Sequence, residues 1–177
     1  TAAAQGYNDA FGGFPADAMK FFAELAHRQD REWMTTNKVR YEQSVRQPLV
    51  APVAALTTKF AADDIPLKGG PKRSLFRINR DVRFSRDKRP YNDHASAALT
   101  RDGDKQSPGV LYLHFSPEES FAAVGFFQPE PDVLHALRSR IIADPKGWQK
   151  VNEGLNAAGL ELMLDDALVR SPKGFEN

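Results

Sequence analysis

Hydrophobic positions change period along the chain, and each change marks an expected element. Ala18, Phe22, Leu25 and Ala26 recur at helical spacing, with Phe21 widening the stripe and Pro15 suited to the first turn. Gln29-Asp30 breaks that pattern, and Asp30 is a natural cap for a second helix through Trp33, Met34, Val39 and Tyr41. Pro48 and Pro52 then interrupt, which predicts a kink or restart before a helix carrying Val53, Leu56 and Phe60. The stretch from Asp63 to Pro71, with Gly69-Gly70, reads as a turn-rich loop.

From Leu75 to Phe84 the period becomes two. Phe76, Ile78, Val82 and Phe84 share one parity; Arg77, Asn79, Asp81 and Arg83 share the other. Arg80 falls on the apolar parity, so the expected strand either bulges near Asn79 or turns a guanidinium inward, where it must find partners. Ser85 to His94 is polar, contains Pro90 and reads as a loop. Val110–Phe115 and Ser120–Phe127 alternate around Ser116-Pro117-Glu118-Glu119 and predict a hairpin. Pro129 and Pro131 start one further helix and Asp144-Pro145 opens another, Gly159 ends the second, and short extended pieces are expected at Leu160–Leu164 and Leu168–Arg170. Helices, then strands, then helices predict an α+β fold, with N-terminal and C-terminal helices packed on a mainly antiparallel sheet. The expected organisation is a flexible Ala- and Gly-rich segment over 1–13 and one domain over 14–177.

Composition is ordinary for a globular chain, at 41% hydrophobic and 27% charged with a formal net charge of +1. The charge is unevenly placed. Lys72 to Tyr91 holds eight Lys or Arg against Asp81 and Asp87, a local +6 that leaves the remainder at −5. A near-neutral total argues against a protein that coats nucleic acid with its whole surface, while a local excess suits an anion site or an ion-pair network. There is no cysteine, which removes disulfides, thiolate chemistry and Cys-ligated metals. His27, His94, His114 and His135 form no metal-ligand spacing, and Gly69-Gly70 before Lys72 lacks phosphate-loop spacing, so no metal or nucleotide cofactor is indicated. No apolar run approaches the ~20 residues that cross a bilayer, and no signal peptide is visible. The expected location is the cytoplasm, with no membrane partner.

The chemistry concentrates in Arg77-Ile-Asn-Arg80-Asp81-Val-Arg83-Phe84-Ser-Arg-Asp87-Lys88-Arg-Pro-Tyr91. The planar fork of Arg grips phosphate or carboxylate through paired hydrogen bonds, Lys88 adds a compact charge, and Tyr91 adds a hydroxyl on a stacking surface. The leading expectation is a small anionic ligand held by Arg77, Arg83, Lys88 and Tyr91, with Arg80 and Asp81 in support. Trp33, Asn37 and Tyr41 share a helix face; with Lys38 they are candidates for a second wall, or else a core stripe with a polar rim. Asp81, Asp87 and His94 are the candidate proton carriers. His114, within a strand, reads as a satisfied sheet residue, and Ser85-x-x-Lys88 as a coincidental nucleophile motif. Two other readings stand beside the anion pocket. One is a non-catalytic scaffold or interaction domain with a buried Arg–Asp network. The other is single-stranded nucleic-acid binding, with Phe76, Phe84 and Tyr91 stacking bases between the cations.

The same string resembles R-x-x-R-D-x-R-F-x-x-[DN]-K-x-x-Y, the signature of a widespread bacterial family, Domain of Unknown Function 2461. Gly13-Phe14-Pro15, Arg31-Glu32-Trp33, Asn37-Lys38, Tyr41-Glu42, Gly125-Phe126-Phe127 and Pro172-Lys173-Gly174 are similar to it as well. The resemblance covers nearly the whole chain. It implies membership and not a reaction, because the family has no established activity. Members continue past the Pro-Lys-Gly stretch with another helical piece, so the resemblance implies a C-terminal element beyond Asn177.

Overall fold

The structure, a computed structural model, describes residues 12–160, 162 and 168–175. Most of the segment expected to be flexible, residues 1–11, lies outside the described residues, as does most of the piece expected to be extended from Leu160 to Leu164. The fold is α+β, as the periodicities predict. Two compact units divide the chain at Phe127, and each is described by itself.

In the first unit, helix α1 (Ala16–His27) buries Ala18, Phe21, Phe22 and Leu25. That i, i+3, i+4, i+7 set is one continuous stripe. Helix α2 (Arg31–Thr36) is capped as expected, with Asp30 Oδ1 accepting from Trp33 N at 2.7 Å. The single helix expected through Tyr41 is divided at Asn37, whose backbone leaves helical geometry (φ −95°, ψ 11°) before α3 (Lys38–Tyr41) begins. A π-helical turn, Glu42–Arg46, follows and runs directly into α4 (Gln47–Ala62). The prolines therefore do not end the helix. Pro48 sits at its first turn, where an N–H is dispensable, and Pro52 is carried inside it. The wider π turn just before Pro48 is where the helical register changes.

Helices α1 and α3 are fastened by one guanidinium. Arg40 donates Nε and Nη2 to Asp17 and both terminal nitrogens to Glu24, at 2.8–3.1 Å, while Ser44 Oγ donates to Asp17 at 2.8 Å. These bonds hold the Asp17 and Glu24 carboxyls below their ordinary range, chiefly through Arg40.

Strands β1 (Ala95–Thr100), β2 (Val110–Phe115) and β3 (Ser120–Gly125) form an antiparallel sheet in that order. One face meets the helices: Ala95, Ala97, Leu99, Leu111 and Phe115 join Phe21, Phe22, Val45, Leu49 and Val53 in the core. The other face carries Ser96, Tyr112, His114 and Phe121, with His114 opposite both Ser96 and Phe121. The β2–β3 hairpin is the expected one, its Ser116–Glu119 turn closed by Ser116 N and Oγ donating to Glu119 O.

Two readings need correction. Leu75–Phe84 is not a strand. It makes isolated bridges at Leu75↔Ala97 and Asn79↔Tyr91, and Phe84 is 95% exposed. Phe76 N donates to Ser96 O beside the Leu75 bridge, but Ile78 and Arg80 pair with 90–92, so the chain turns back on itself rather than extending. Ala95–Thr100, assigned to no element above, is the most buried strand, every residue of it enclosed.

In the second unit, α5 (Pro131–Ala143) and α6 (Pro145–Ala157) begin at the expected prolines. Asp144 caps α6 through Gly147 N at 2.9 Å, and Gly159 takes a left-handed φ of +71° after it. Leu168–Arg170 is bent and not the extended piece expected there. Among the described residues no helix is long and apolar enough to cross a membrane.

Candidate functional site

The basic segment is a closed loop standing on two buried feet. Ile78 and Tyr91 are each 6% exposed. Between them Asn92 N donates to Ile78 O at 2.7 Å and Arg80 N to Pro90 O at 2.9 Å, which closes 81–89. Gln29, just beyond α1, steadies this base: its Oε1 accepts from Tyr91 N at 3.1 Å, and its Nε2 is buried with no acceptor among the described residues.

Inside the loop the same short-range device occurs twice. Asp81 accepts from Arg83 N at 3.2 Å, Nε at 2.9 Å and Nη2 at 2.6 Å. Asp87 accepts from Arg89 N at 3.0 Å and Nε at 2.9 Å, and also from Arg80 Nη1 at 2.6 Å. The Arg83 side chain holds the Asp81 carboxyl down, and the Arg89 amide followed by Arg80 and Arg89 hold Asp87 far down. A carboxylate so strongly held in its charged form is a poor proton acceptor near neutral pH. Both aspartates, candidate proton carriers in the sequence, are placed here as anchors for cations. Lys88 Nζ donates to Val82 O at 3.0 Å and braces the loop across its width. The network is exposed rather than buried: the Arg83 side chain is 76% accessible and that of Arg89 48%.

The ladder continues out of the loop. Arg89 Nη1 reaches Asp93 Oδ2 at 3.4 Å, and Asp93 Oδ1 lies 3.4 Å from His94 Nδ1. The His94 ring stacks on His114 with centroids 4.4 Å apart, and His114 stacks on Phe121 at 4.8 Å. Tyr112 Oη is 3.1 Å from His114 Nδ1. Burial, and then the neighbouring His94, push the His114 pKa down. In the tautomer where neutral His114 accepts at Nδ1 from the Tyr112 hydroxyl, its Nε2–H is left as a donor. The sheet face turned away from the helices thus carries an acid–base-capable cluster linked by Asp93 to the arginine loop.

The sequence-predicted residues are not gathered in one place. Arg77 is exposed and its side chain makes no hydrogen bond or ion pair among the described residues. Trp33 and Tyr41 lie against Phe21, at 5.4 and 5.7 Å, as a core stripe. Asn37 Nδ2 donates to Trp33 O within its own helix turn, and Lys38 projects from α3. Among the described residues no hydrogen bond or ion pair joins Trp33, Asn37 or Lys38 to the loop. Tyr91, expected to stack on a ligand, is part of the core. Of the aromatics proposed for base stacking, Phe84 is exposed beside Arg83, Phe76 is partly covered by Lys105 and Tyr112, and Tyr91 is buried. Tyr112 and His114, the latter read from the sequence as a satisfied sheet residue, are not among the residues singled out for chemistry. Their i, i+2 spacing on a well-formed strand already places them on one face. Among the described residues no group of acidic and histidine side chains is arranged to hold a metal.

The family model described as Conserved hypothetical protein (DUF2461) matches residues 17–177. No curated protein and no solved structure matches the chain.

Proposed function

We propose that this chain, which belongs to the DUF2461 family of conserved hypothetical proteins, binds a small phosphate- or carboxylate-bearing ligand where the arginine loop meets the histidine face. The observation that carries the reading is the continuous ladder Arg80–Asp87–Arg89–Asp93–His94, which ends in stacked imidazoles beside a tyrosine hydroxyl. Cations remain after the pairing. Arg77 and Arg86 make no ion pair among the described residues, and Lys88 uses one donor on a carbonyl. Arg83, first expected to grip the ligand, acts instead as a support alongside Arg80, with donors committed to Asp81 and Asp87 respectively. In this arrangement Arg77, Arg86 and Lys88 supply charge, and His114 Nε2–H and His94 supply directed hydrogen bonds.

The test is a titration with inorganic phosphate and with acetate at fixed ionic strength, followed through the ring resonances of His94 and His114. Saturable shifts that disappear in Arg77→Ala/Lys88→Ala are expected, with the melting temperature little changed. Rings that ignore both anions would refute the reading. A second reading, an exposed scaffold, is favoured by the engagement of Arg80, Arg83 and Arg89 with the loop's own carboxylates. It predicts that Asp87→Asn loosens the loop, seen as faster amide exchange at Arg80 and Arg89, with no anion bound.

A further inference from the structure

A different stretch of the first unit forms an open groove of about 350 Å³, walled by Lys68, Gly70, Lys72 and Arg73 with Asp102 and Gly103 facing them. A volume of that size suits a small molecule. Its lining carries three cations against one carboxylate. Asp102 is internally occupied: it accepts from Ser107 Oγ at 2.7 Å, Asp104 N at 2.9 Å and Thr100 Oγ1 at 3.1 Å. Those bonds, led by Ser107, bring its pKa down to about 2 and turn its lone pairs away from solutes. Arg73 lends one nitrogen to Asp104, at 2.8 Å, and keeps the rest of its fork. The ammonium groups of Lys68 and Lys72 have no partner among the described residues. Lys68 is nonetheless held in place, because its backbone exchanges bonds with Thr100 and its stem lies along Gly103.

The two adjacent glycines separate packing from function. At Gly69 an added Cβ would fall 2.8 Å from both Ser74 Oγ and Val53 Cγ1, so the core requires glycine there. At Gly70 an added Cβ would meet nothing within 4 Å, and no left-handed φ demands glycine. Packing and backbone geometry leave Gly70 unexplained, and its missing side chain keeps the groove wall low.

We infer that this groove is an anion site distinct from the arginine loop, and that its ligand bears a phosphoryl group. Charge decides between the candidates. The lining side chains sum to +2, with Asp104 just outside them paired to one Arg73 nitrogen; a phosphate monoester carries about −1.5 to −2 near neutral pH, whereas a carboxylate carries one charge. Two ammonium groups without a partner among the described residues, and a guanidinium fork, also supply enough donors for three phosphoryl oxygens.

The experiment follows the backbone amide signals of Gly70 and Gly103 during titration with inorganic phosphate, with acetate as the comparison. Both amides are expected to shift saturably with phosphate and at least tenfold more weakly with acetate. The response persists in Arg77→Ala/Lys88→Ala, which removes the loop cations, and is lost in Lys68→Ala/Lys72→Ala. Gly70→Val is expected to fold normally and to lose the Gly103 response, because its side chain occupies the open wall. Amides unmoved by phosphate, or moved equally in Lys68→Ala/Lys72→Ala, overturn the assignment. Loss confined to the loop variant transfers phosphate binding to the loop and overturns it equally.

Discussion

Replacing Gly69 with alanine tests the packing argument most directly, because its neighbour supplies the control. Gly69 is wedged between α4 and β1. The new methyl would lie 2.8 Å from Val53 Cγ1, 2.8 Å from Ser74 Oγ and 3.1 Å from Leu99 Cγ. Comfortable carbon contacts begin near ~3.5 Å, so the overlap with Val53 is large. None of the three can easily retreat. Val53 and Leu99 are enclosed in the core, and Ser74, itself fully buried, is fixed by the hydrogen bond its Oγ accepts from Gly70 N at 2.9 Å. Gly69 N is in turn committed to Thr57 Oγ1 at 2.9 Å, so the backbone cannot slide away without losing that bond. Overpacking of a close-packed site costs about 1–3 kcal/mol, and three rigid neighbours place Gly69→Ala in the upper half of that range. Gly70→Ala meets open space and should stay within about 0.5 kcal/mol of the parent. Urea unfolding of both variants measures the difference, with equal slopes confirming that only the native state has changed. Equal midpoints for the two variants, or a Gly70→Ala loss as large as that of Gly69→Ala, would show that the chain does not pass between helix and sheet as described.

Tyr91 and His114 yield the remaining predictions. Tyr91→Ala should cost about 3–5 kcal/mol, the range for removing a large buried ring, while Tyr91→Phe should leave both urea stability and the phosphate response nearly intact; a binding loss in Tyr91→Phe at unchanged stability would return Tyr91 to the ligand. His114 has its folded pKa below the ordinary value, so the unfolded chain binds its proton first. Stability conferred by the neutral ring is present above about pH 6.5 and is lost as pH falls through that value toward the folded pKa. Around the ring stand His94, which opposes its protonation, and Glu119 and Asp93, which favour it. His114→Gln should therefore flatten the fall in urea stability below about pH 6.5; an unchanged slope would place the acid sensitivity elsewhere.

What could be read from the sequence follows from where the fold buries one face and where it buries two. The α1 stripe and the β2–β3 hairpin were legible because one side of each meets the core while turn residues mark the ends. Ala95–Thr100 was not, because it is enclosed throughout and built from Ala and Ser with one Leu and a single β-branched residue, Thr100, so neither alternation nor β-branched content announces it. The segment 75–84 erred the other way. Its alternation is genuine in the letters, yet Leu75 and Ile78 alone reach the core as buried side chains, and Phe84 ends in solvent.

That error propagated into the site. A straight strand would have set Arg77 and Arg83 on one face as a pair of grips. The loop instead directs Arg83 back to Asp81, and the cue was present in the repeated Asp-x-Arg of Asp81-Val-Arg83 and Asp87-Lys-Arg89. An aspartate that accepts the amide two residues on is a local turn element, and an arginine at that position adds its side chain to the same carboxylate. Counting +6 across the segment treats all its cations as available, whereas this spacing commits Arg83 and Arg89 before any guest arrives. The meeting of His94 with His114 depends on the register between β1 and β2. With β1 unassigned that register could not be written down, so two residues twenty apart stayed separate in the sequence and touch only in the fold. Local pairing therefore argues which cations are unavailable, and only long-range register tells which titratable groups lie beside those that remain.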